Sequence, residues 1–201
     1  MPLCCTLAAA TLITATLASF ATLGAFAQTA AQPAHPLHLQ LDSSPSRAEI
    51  VLNGNFHTVE GSFALKRGAL DYDPASGKVG GEIVFDATSG KTGNDSRDRK
   101  MHKEVLESAR FHEIAFRPDH ADGTLARSGD STLQVHGMFS IHGAEHELTV
   151  PVTVHLDGAA WSAKAAFQVP YAKWGMKNPS VLFLRVESTV AVRLVAAGAI
   201  Q

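Results

Sequence analysis

Hydrophobic and polar residues alternate along most of the chain after residue 36. The clearest run has apolar side chains at every second position from Leu148 to Leu156, with polar residues or proline between them. Successive side chains of a β-strand point to opposite faces, so this run predicts a strand with one apolar and one polar face. The same alternation recurs at residues 37–41, 48–52, 133–141, 161–169 and 186–194.

Turn sequences separate these runs at the spacing of an antiparallel β-domain. They are DPASG at 73–77, DG at 122–123, HGA at 142–144 and DG at 157–158. One stretch has a different period, because Met101, Val105 and Ala109 lie four residues apart among charged residues. This spacing predicts one α-helix over residues 96–109, capped by Asn94 or Asp95.

Two architectures suit an all-β chain of this kind. Closing an antiparallel sheet of about eight strands into a barrel removes its exposed edges and leaves room inside for one small ligand. A β-sandwich is the alternative, although this chain lacks the Cys…Trp…Cys core of immunoglobulin-like sandwiches. We therefore predict an antiparallel β-barrel of about eight strands with one inserted α-helix.

Composition and charge narrow the function classes. The chain has 201 residues, with 17 basic and 19 acidic side chains and a net charge of -2. Nucleic-acid binding needs a basic face that neutralises phosphates, so we expect no nucleic-acid partner. The 45% hydrophobic content is typical of a globular domain rather than of a disordered chain.

The N-terminal segment predicts export. Residues 1–27 contain no Lys, Arg, Asp or Glu, and they end in Ala25-Phe26-Ala27. An apolar stretch before a small-x-small sequence is typical of a signal peptide, here cleaved near Ala27. A retained membrane anchor is the alternative, and either reading places the domain outside the cytoplasm.

We accordingly divide the chain into a signal peptide at 1–27, a linker at 28–36 and a β-barrel domain at 37–198. Both cysteines, Cys4 and Cys5, fall within the predicted signal peptide. The mature domain therefore has no thiol for a disulfide, a metal site or a nucleophile.

Five motifs occur in an order that resembles the YceI-like family of extracytoplasmic proteins. They are FHTVEGSF at 56–63, GALDYDP at 68–74, TGNDSRD at 92–98, FHEIAF at 111–116 and VHGMFSIHG at 135–143. The chain departs from the family pattern in having Asn53 and Gly54 where a histidine is common. It also has Glu60 at a usually basic position and His112 in place of a common proline.

The resemblance implies an extended lipocalin-like barrel whose apolar interior holds a long lipid. The lipid would be a polyisoprenoid, an isoprenoid quinone or a fatty amide, and no other cofactor is implied. The family's members are not generally enzymes, and the resemblance also makes a homodimer plausible. It agrees with a periplasmic or otherwise extracytoplasmic location.

Large apolar side chains are the candidate ligand contacts. Aromatic rings and methionines adapt well to an irregular apolar chain. The candidates are Phe63, Phe85, Met101, Phe116, Phe139, Phe167, Trp174 and Met176. The alternative is that these side chains fill the barrel themselves, which would indicate a structural or stress-related envelope protein without a ligand.

The loop at residues 170–180 contains Tyr171, Trp174 and Met176, which is unusual for a solvated loop. We expect it to fold over the barrel mouth or to form a dimer surface. Lys173 and Lys177 would alternatively hold it near anionic lipid head groups, in peripheral contact with a membrane.

Catalytic and metal sites are weaker hypotheses. His136, His142 and His146 would form a surface metal site if the hairpin brought them together, but the spacing fails the zinc-protease pattern. Asp98 fits a favourable position in the helix dipole, and Arg97 fits an ion pair over the barrel end. We expect no metal site and no enzyme activity, with a hydrolase or isomerase as the third alternative.

Overall fold

The computed structural model describes residues 35–180, 182–183 and 185–201. The predicted signal peptide and residues 28–34 of the predicted linker lie outside the described residues. Nine strands account for most of the described chain. They are β1 (Leu37–Leu41), β2 (Arg47–Asn53), β3 (Thr58–Asp73), β4 (Lys78–Asp86), β5 (Glu113–Asp122), β6 (Gly129–Ile141), β7 (Ala144–Asp157), β8 (Ala160–Val169) and β9 (Val190–Ile200).

The strands form one closed antiparallel sheet. From β2 to β9 each strand pairs with the next along the chain, and β9 pairs back with β2. Strands β1 and β2 share one position between β3 and β9, because β1 pairs with the second half of β3 and β2 with its first half. The barrel therefore has eight strand positions. The predicted barrel is confirmed, and the sandwich alternative is wrong.

The break between β1 and β2 is held by side-chain hydrogen bonds to β9. Ser46 is 2% exposed, and its hydroxyl donates to the Ala197 carbonyl and accepts from the Ala197 N–H at 3.1 Å. The Asp42 N–H donates to the same carbonyl at 2.9 Å. Next to it, a Cβ on Gly198 would lie 1.8 Å from the Gln40 carbonyl oxygen. Glycine at this position lets β1 and β9 approach closely enough to pair.

The alternation predicted for residues 148–156 is present in β7. Val150 and Leu156 are buried inside the barrel, whereas the polar residues and the proline of the run are exposed. Leu148, Val152 and Val154 also face inward, but they are only half-buried. Inward-facing residues remain partly exposed where the interior is not filled by other side chains.

The helical insertion is shorter than predicted. Helix α1 covers Asp95–Lys100 and continues as one π-helical turn over Met101–Val105. Asn94 caps it by accepting a hydrogen bond from the Arg97 N–H at 3.0 Å. The prediction that the helix reaches residue 109 is wrong, because the backbone turns to a left-handed φ of 46° at Glu107.

The last strand also starts later than the alternation indicated. Strand β9 begins at Val190, whereas Val186 forms an isolated bridge with Gly54.

A short 3₁₀ helix, Ala87–Ser89, follows β4. No helix in the described part of the chain is long and apolar enough to cross a membrane.

The charged residues of the strands form ion pairs on the outer face. Arg67 contacts Glu113 at 2.7 Å and Glu82 at 3.0 Å. The hydrogen bonds that Glu113 accepts from Arg67 and, with a smaller effect, from Lys66 lower its pKa to about 2. Because these pairs lie outside the barrel and are partly solvated, they add little stability.

Replacing Ser46 by alanine tests how the strand break is held. The half-buried Ala197 N–H loses its partner, so we expect Ser46→Ala to lower the free energy of unfolding by about 1–3 kcal/mol. The exposed Ser44→Ala in the same turn is the matched control and should change it by less than about 0.5 kcal/mol. Urea unfolding followed by circular dichroism measures both values. Equal stability of the two variants would contradict the role of Ser46.

Candidate functional site

The main cavity lies inside the barrel beside the helical insertion. It has a volume of about 570 Å³, within the range of about 300–1,000 Å³ typical of small-molecule sites. Its walls are apolar side chains of β2 and β9 together with residues from the helical insertion and the 170–180 loop. We call it the outer cavity, because some of its lining residues, including His57, Asn94 and Ser96, are exposed to solvent.

A second cavity of about 130 Å³ adjoins the outer cavity. This inner cavity exposes only apolar atoms, and no polar group of a described residue faces it. Five residues line both cavities, and we call them the waist. They are Phe85, Ile114, Phe139, Phe167 and Leu194. The two cavities thus adjoin at the waist, and the inner one exposes apolar atoms alone.

The waist combines packed and open positions. Phe139 is buried, and its ring lies edge-on to Phe167 with the ring centroids 6.1 Å apart. Phe167 and Leu194 face inward but are only half-buried. The rings therefore narrow the interior between the two cavities.

Most of the predicted ligand contacts line these cavities. Phe63, Phe85, Met101, Phe139, Phe167 and Met176 line the outer cavity, and Phe116 lines the inner one. Trp174 lines neither, because its ring stacks on His146 at a centroid distance of 4.0 Å and lies 5.8 Å from Phe139. The placement of these side chains is clear, while their contact with a ligand stays a prediction.

The aliphatic side of the cavity was not among the candidates. Ile50 and Leu52 on β2, with Val192 and Leu194 on β9, line the outer cavity as well. Their alternation marked them as inward-facing in the sequence. Only the pairing of β2 with β9 places them on one wall.

A polar rim surrounds the exposed end of the outer cavity. It consists of His57, Thr92, Asn94, Ser96, Arg97 and Lys100. Arg97 donates to the Thr92 hydroxyl at 2.7 Å and to the Thr92 carbonyl at 2.8 Å. The Asp98 carboxylate accepts from the Thr92 N–H and hydroxyl. The predicted ion pair of Arg97 is therefore wrong, since Arg97 instead holds the loop before α1.

The 170–180 loop packs over this end of the barrel. Tyr171 and Met176 are buried and line the outer cavity, and the Tyr171 hydroxyl donates to the Glu187 carbonyl at 2.6 Å. Burial raises the pKa of the Tyr171 phenol. Lys177 contacts Glu104 at 2.6 Å, which ties the loop to the helical insertion. The loop thus forms part of the cavity wall, as the expectation of a cover over the mouth requires.

The three histidines of the metal hypothesis lie in different surroundings. His136 is on the outer face between Asp119 and Glu147, whose hydrogen bonds raise its pKa. His142 is in the β6–β7 turn, 3.3 Å from a Glu107 oxygen, and His146 stacks on Trp174. No group of three metal-ligating side chains occurs within the described residues.

Solved structures share this fold. BcnA from Burkholderia cenocepacia matches with a TM-score of 0.66 at 18% identity, covering 79% of this chain and 99% of that protein. A polyisoprenoid binding domain from Saccharophagus degradans, implicated in plant cell wall breakdown, matches with a TM-score of 0.62 at 18% identity. It covers 81% of this chain and 98% of that domain. At these identities the likeness shows the fold alone.

The sequence comparisons identify the family. No curated protein matches the chain. The sequence profile of the YceI-like domain matches residues 39–197, which is the barrel without the first residues of β1 and the last residues of β9. The motifs that first indicated this family lie within that span, and the closed barrel with its inserted helix agrees with it. The chain belongs to the YceI-like family.

Proposed function

We propose that this protein binds a long-chain lipid inside its barrel, outside the cytoplasm and without catalysing a reaction. The lipid is a polyisoprenoid, an isoprenoid quinone or a fatty amide. The observation that carries the proposal is the pair of adjoining apolar cavities inside a closed sheet. Such a shape accommodates a long flexible chain better than a compact ligand.

The hydrophobic effect supplies the binding energy. Each Å² of apolar surface removed from water stabilises the complex by about 25 cal/mol, and the ligand and the cavity wall both contribute. The inner cavity exposes only apolar atoms, so a polar head group placed there would lose its hydrogen bonds to water. The lipid therefore enters the barrel with its apolar end first, and its head group stays at the polar rim.

The open interior favours this proposal over a barrel with a filled core. Inward-facing residues such as Ile50, Val152 and Leu194 are only half-buried. Small residues at other inward positions, including Ala48 and Ala163, leave space rather than occupy it. Protein interiors are normally packed to the density of organic crystals, with few voids larger than a water molecule.

Two further observations support the proposal. The Saccharophagus degradans domain that shares this fold is described as polyisoprenoid-binding. The charge-free segment at residues 1–27, with its small residues near Ala27, fits export of the barrel. An exported protein would meet membrane lipids where it works.

Extraction of the purified native protein with organic solvent, followed by mass spectrometry, tests the proposal. We expect about one long-chain lipid per barrel. Leu194→Trp places a large ring at the waist. We expect it to reduce the lipid recovered at least about tenfold, because overpacking at the waist keeps the lipid from extending through both cavities. Arg193→Trp, which adds the same ring at the next, exposed position, is the control and should retain the lipid.

Absence of any lipid from the native protein would favour the structural role without a ligand. Equal lipid recovery from both tryptophan variants would show that the lipid lies elsewhere. Circular dichroism establishes beforehand that each variant is folded.

We further propose that the barrel takes up its lipid while its mouth contacts a bilayer. Within the described residues, the exposed large hydrophobic side chains are Phe56 at 71%, Leu182 at 90% and Phe183 at 83% exposure. All three lie in two loops, which are joined because Asn55 donates to the Phe183 and Arg185 carbonyls and accepts from the Arg185 N–H. We call these three side chains the apolar tip.

The apolar tip lies beside the cavity mouth. Phe56 precedes His57, and Phe183 lies three residues before Val186 in the sequence. His57 and Val186 both line the outer cavity. Apolar side chains that project from a soluble protein next to a lipid cavity fit insertion between lipid head groups. The proposed occupant of this surface is therefore a bilayer.

Flotation with vesicles of phosphatidylcholine and phosphatidylglycerol measures this contact. We expect Phe183→Ser to lower vesicle binding about tenfold, because burial of one large side chain contributes about 1.5–3 kcal/mol. Gln168→Ser, an exposed change on β8, is the control. Unchanged binding by Phe183→Ser would contradict the proposal. So would dissociation of a dimer by Phe183→Ser without any wild-type vesicle binding, because the tip would then be a contact between copies.

A further inference from the structure

Both charged side chains that line the outer cavity are cations, Arg97 and Lys100. The other ionisable groups of its wall are His57 and the Tyr171 phenol, whose hydroxyl is bonded to the Glu187 carbonyl. No Asp or Glu of the described chain lines this cavity. A site built for a neutral lipid head group has no need of two cations without a facing carboxylate.

Lys100 has unused hydrogen-bonding capacity. Its ammonium group donates to the Pro179 carbonyl at 3.0 Å, and none of the ion pairs among the described residues involves it. An ammonium group carries three donor hydrogens, so two remain for a ligand. The side chain is half-buried at the cavity wall, where a charge attracts an opposite charge more strongly than in bulk water.

Arg97 is held in place with part of its guanidinium free. Its Nε and Nη2 atoms donate to Thr92, while Nη1 has no bond to a described residue. The guanidinium is thus fixed by hydrogen bonds to a neutral residue, and the Asp98 carboxylate reaches it only through the shared Thr92 hydroxyl. Arginine in such a fixed position is well suited to binding carboxylates and phosphates.

The nearby acidic residues make no direct ion pair with Arg97 or Lys100. The Asp98 carboxylate accepts hydrogen bonds from Thr92, and Glu104 contacts Lys177 at 2.6 Å. The Lys177 hydrogen bond is the main cause that lowers the pKa of Glu104, with a smaller effect from Lys100. Asp95 is exposed and does not line the cavity. The two cations at the rim therefore lack a direct ion-pair partner.

We infer that the lipid head group is anionic, a phosphate or a carboxylate bound by Lys100 and Arg97. This inference rests on the proposed lipid-binding function and narrows its ligand class to a polyisoprenoid that ends in a phosphate or a carboxylate, because quinone and amide head groups are neutral. The apolar chain of the lipid lies in the two cavities, and its anionic head group lies at the polar rim. Arg97 and Lys100 line the cavity there, three residues apart on α1.

Three probes with one C20 isoprenoid chain test the inference. They are geranylgeraniol, geranylgeranyl phosphate and geranylgeranoic acid, and each is titrated into delipidated protein by isothermal calorimetry. We expect the two anions to bind at least about tenfold more tightly than the alcohol, because hydrogen bonds to charged groups are the stronger class. The comparison of the two anions tells phosphate from carboxylate.

Variants of Lys100 separate charge from structure. Lys100→Met keeps the apolar stem but loses the charge, and we expect it to reduce the preference for anions about tenfold with little change for the alcohol. Lys100→Arg should retain the preference. Lys103→Met, on the same helical insertion but exposed and away from the cavity, is the matched control and should behave as the wild type.

The outcomes distinguish this inference from the proposed function. Binding of all three probes with equal affinity would overturn the anionic head group and leave lipid binding in place. Binding of none would overturn the proposed function itself. If Lys103→Met and Lys100→Met lost the preference equally, the effect would come from overall charge, and the assignment to the rim would be wrong.

Discussion

Closure of the sheet is the constraint on which the rest of this structure depends. Pairing of β9 with β2 leaves the strands from β2 to β9 without a free edge and gives every strand one inward and one outward face. The ladder fixes the width of the barrel whatever side chains point inside. The inward residues include small ones such as Ala48, Ala163 and Ala165. A sheet that cannot collapse around small side chains retains an apolar space.

The polar groups are confined to one end of that space. Arg97 and Asp98 hold the loop at Thr92, while Lys100 and Glu104 bind the 170–180 loop through Pro179 and Lys177. These bonds connect the helical insertion with the loop that completes the cavity wall. The same short helical segment therefore shapes the entrance and supplies its charge, and the remainder of the interior stays apolar.

Much of this could be predicted from the sequence, because strand alternation is a local property. The inward face of β7, the capping of α1 by Asn94 and the turn at His142 all depend on residues close in the chain. The helix end at Val105 could not be predicted, since the backbone of Glu107 takes a left-handed φ that its residue type does not signal. The stacking of Trp174 on His146 likewise depends on long-range packing.

The cavity itself also lies beyond local patterns. Its size depends on the number of strands in the closed barrel and on which small side chains face one another across the interior. Arg97 shows the same limit, because the sequence indicated an ion pair and the fold instead brings its guanidinium to Thr92.

Affinity measured for linear prenyl alcohols of increasing length tests the central claim, that the barrel interior binds a lipid chain, most directly. If the interior binds the prenyl chain, affinity rises with each added isoprene unit, because each buried methylene contributes about 0.8 kcal/mol of binding free energy. Affinity then levels off once both cavities are full. Affinity that does not change with chain length would contradict the account.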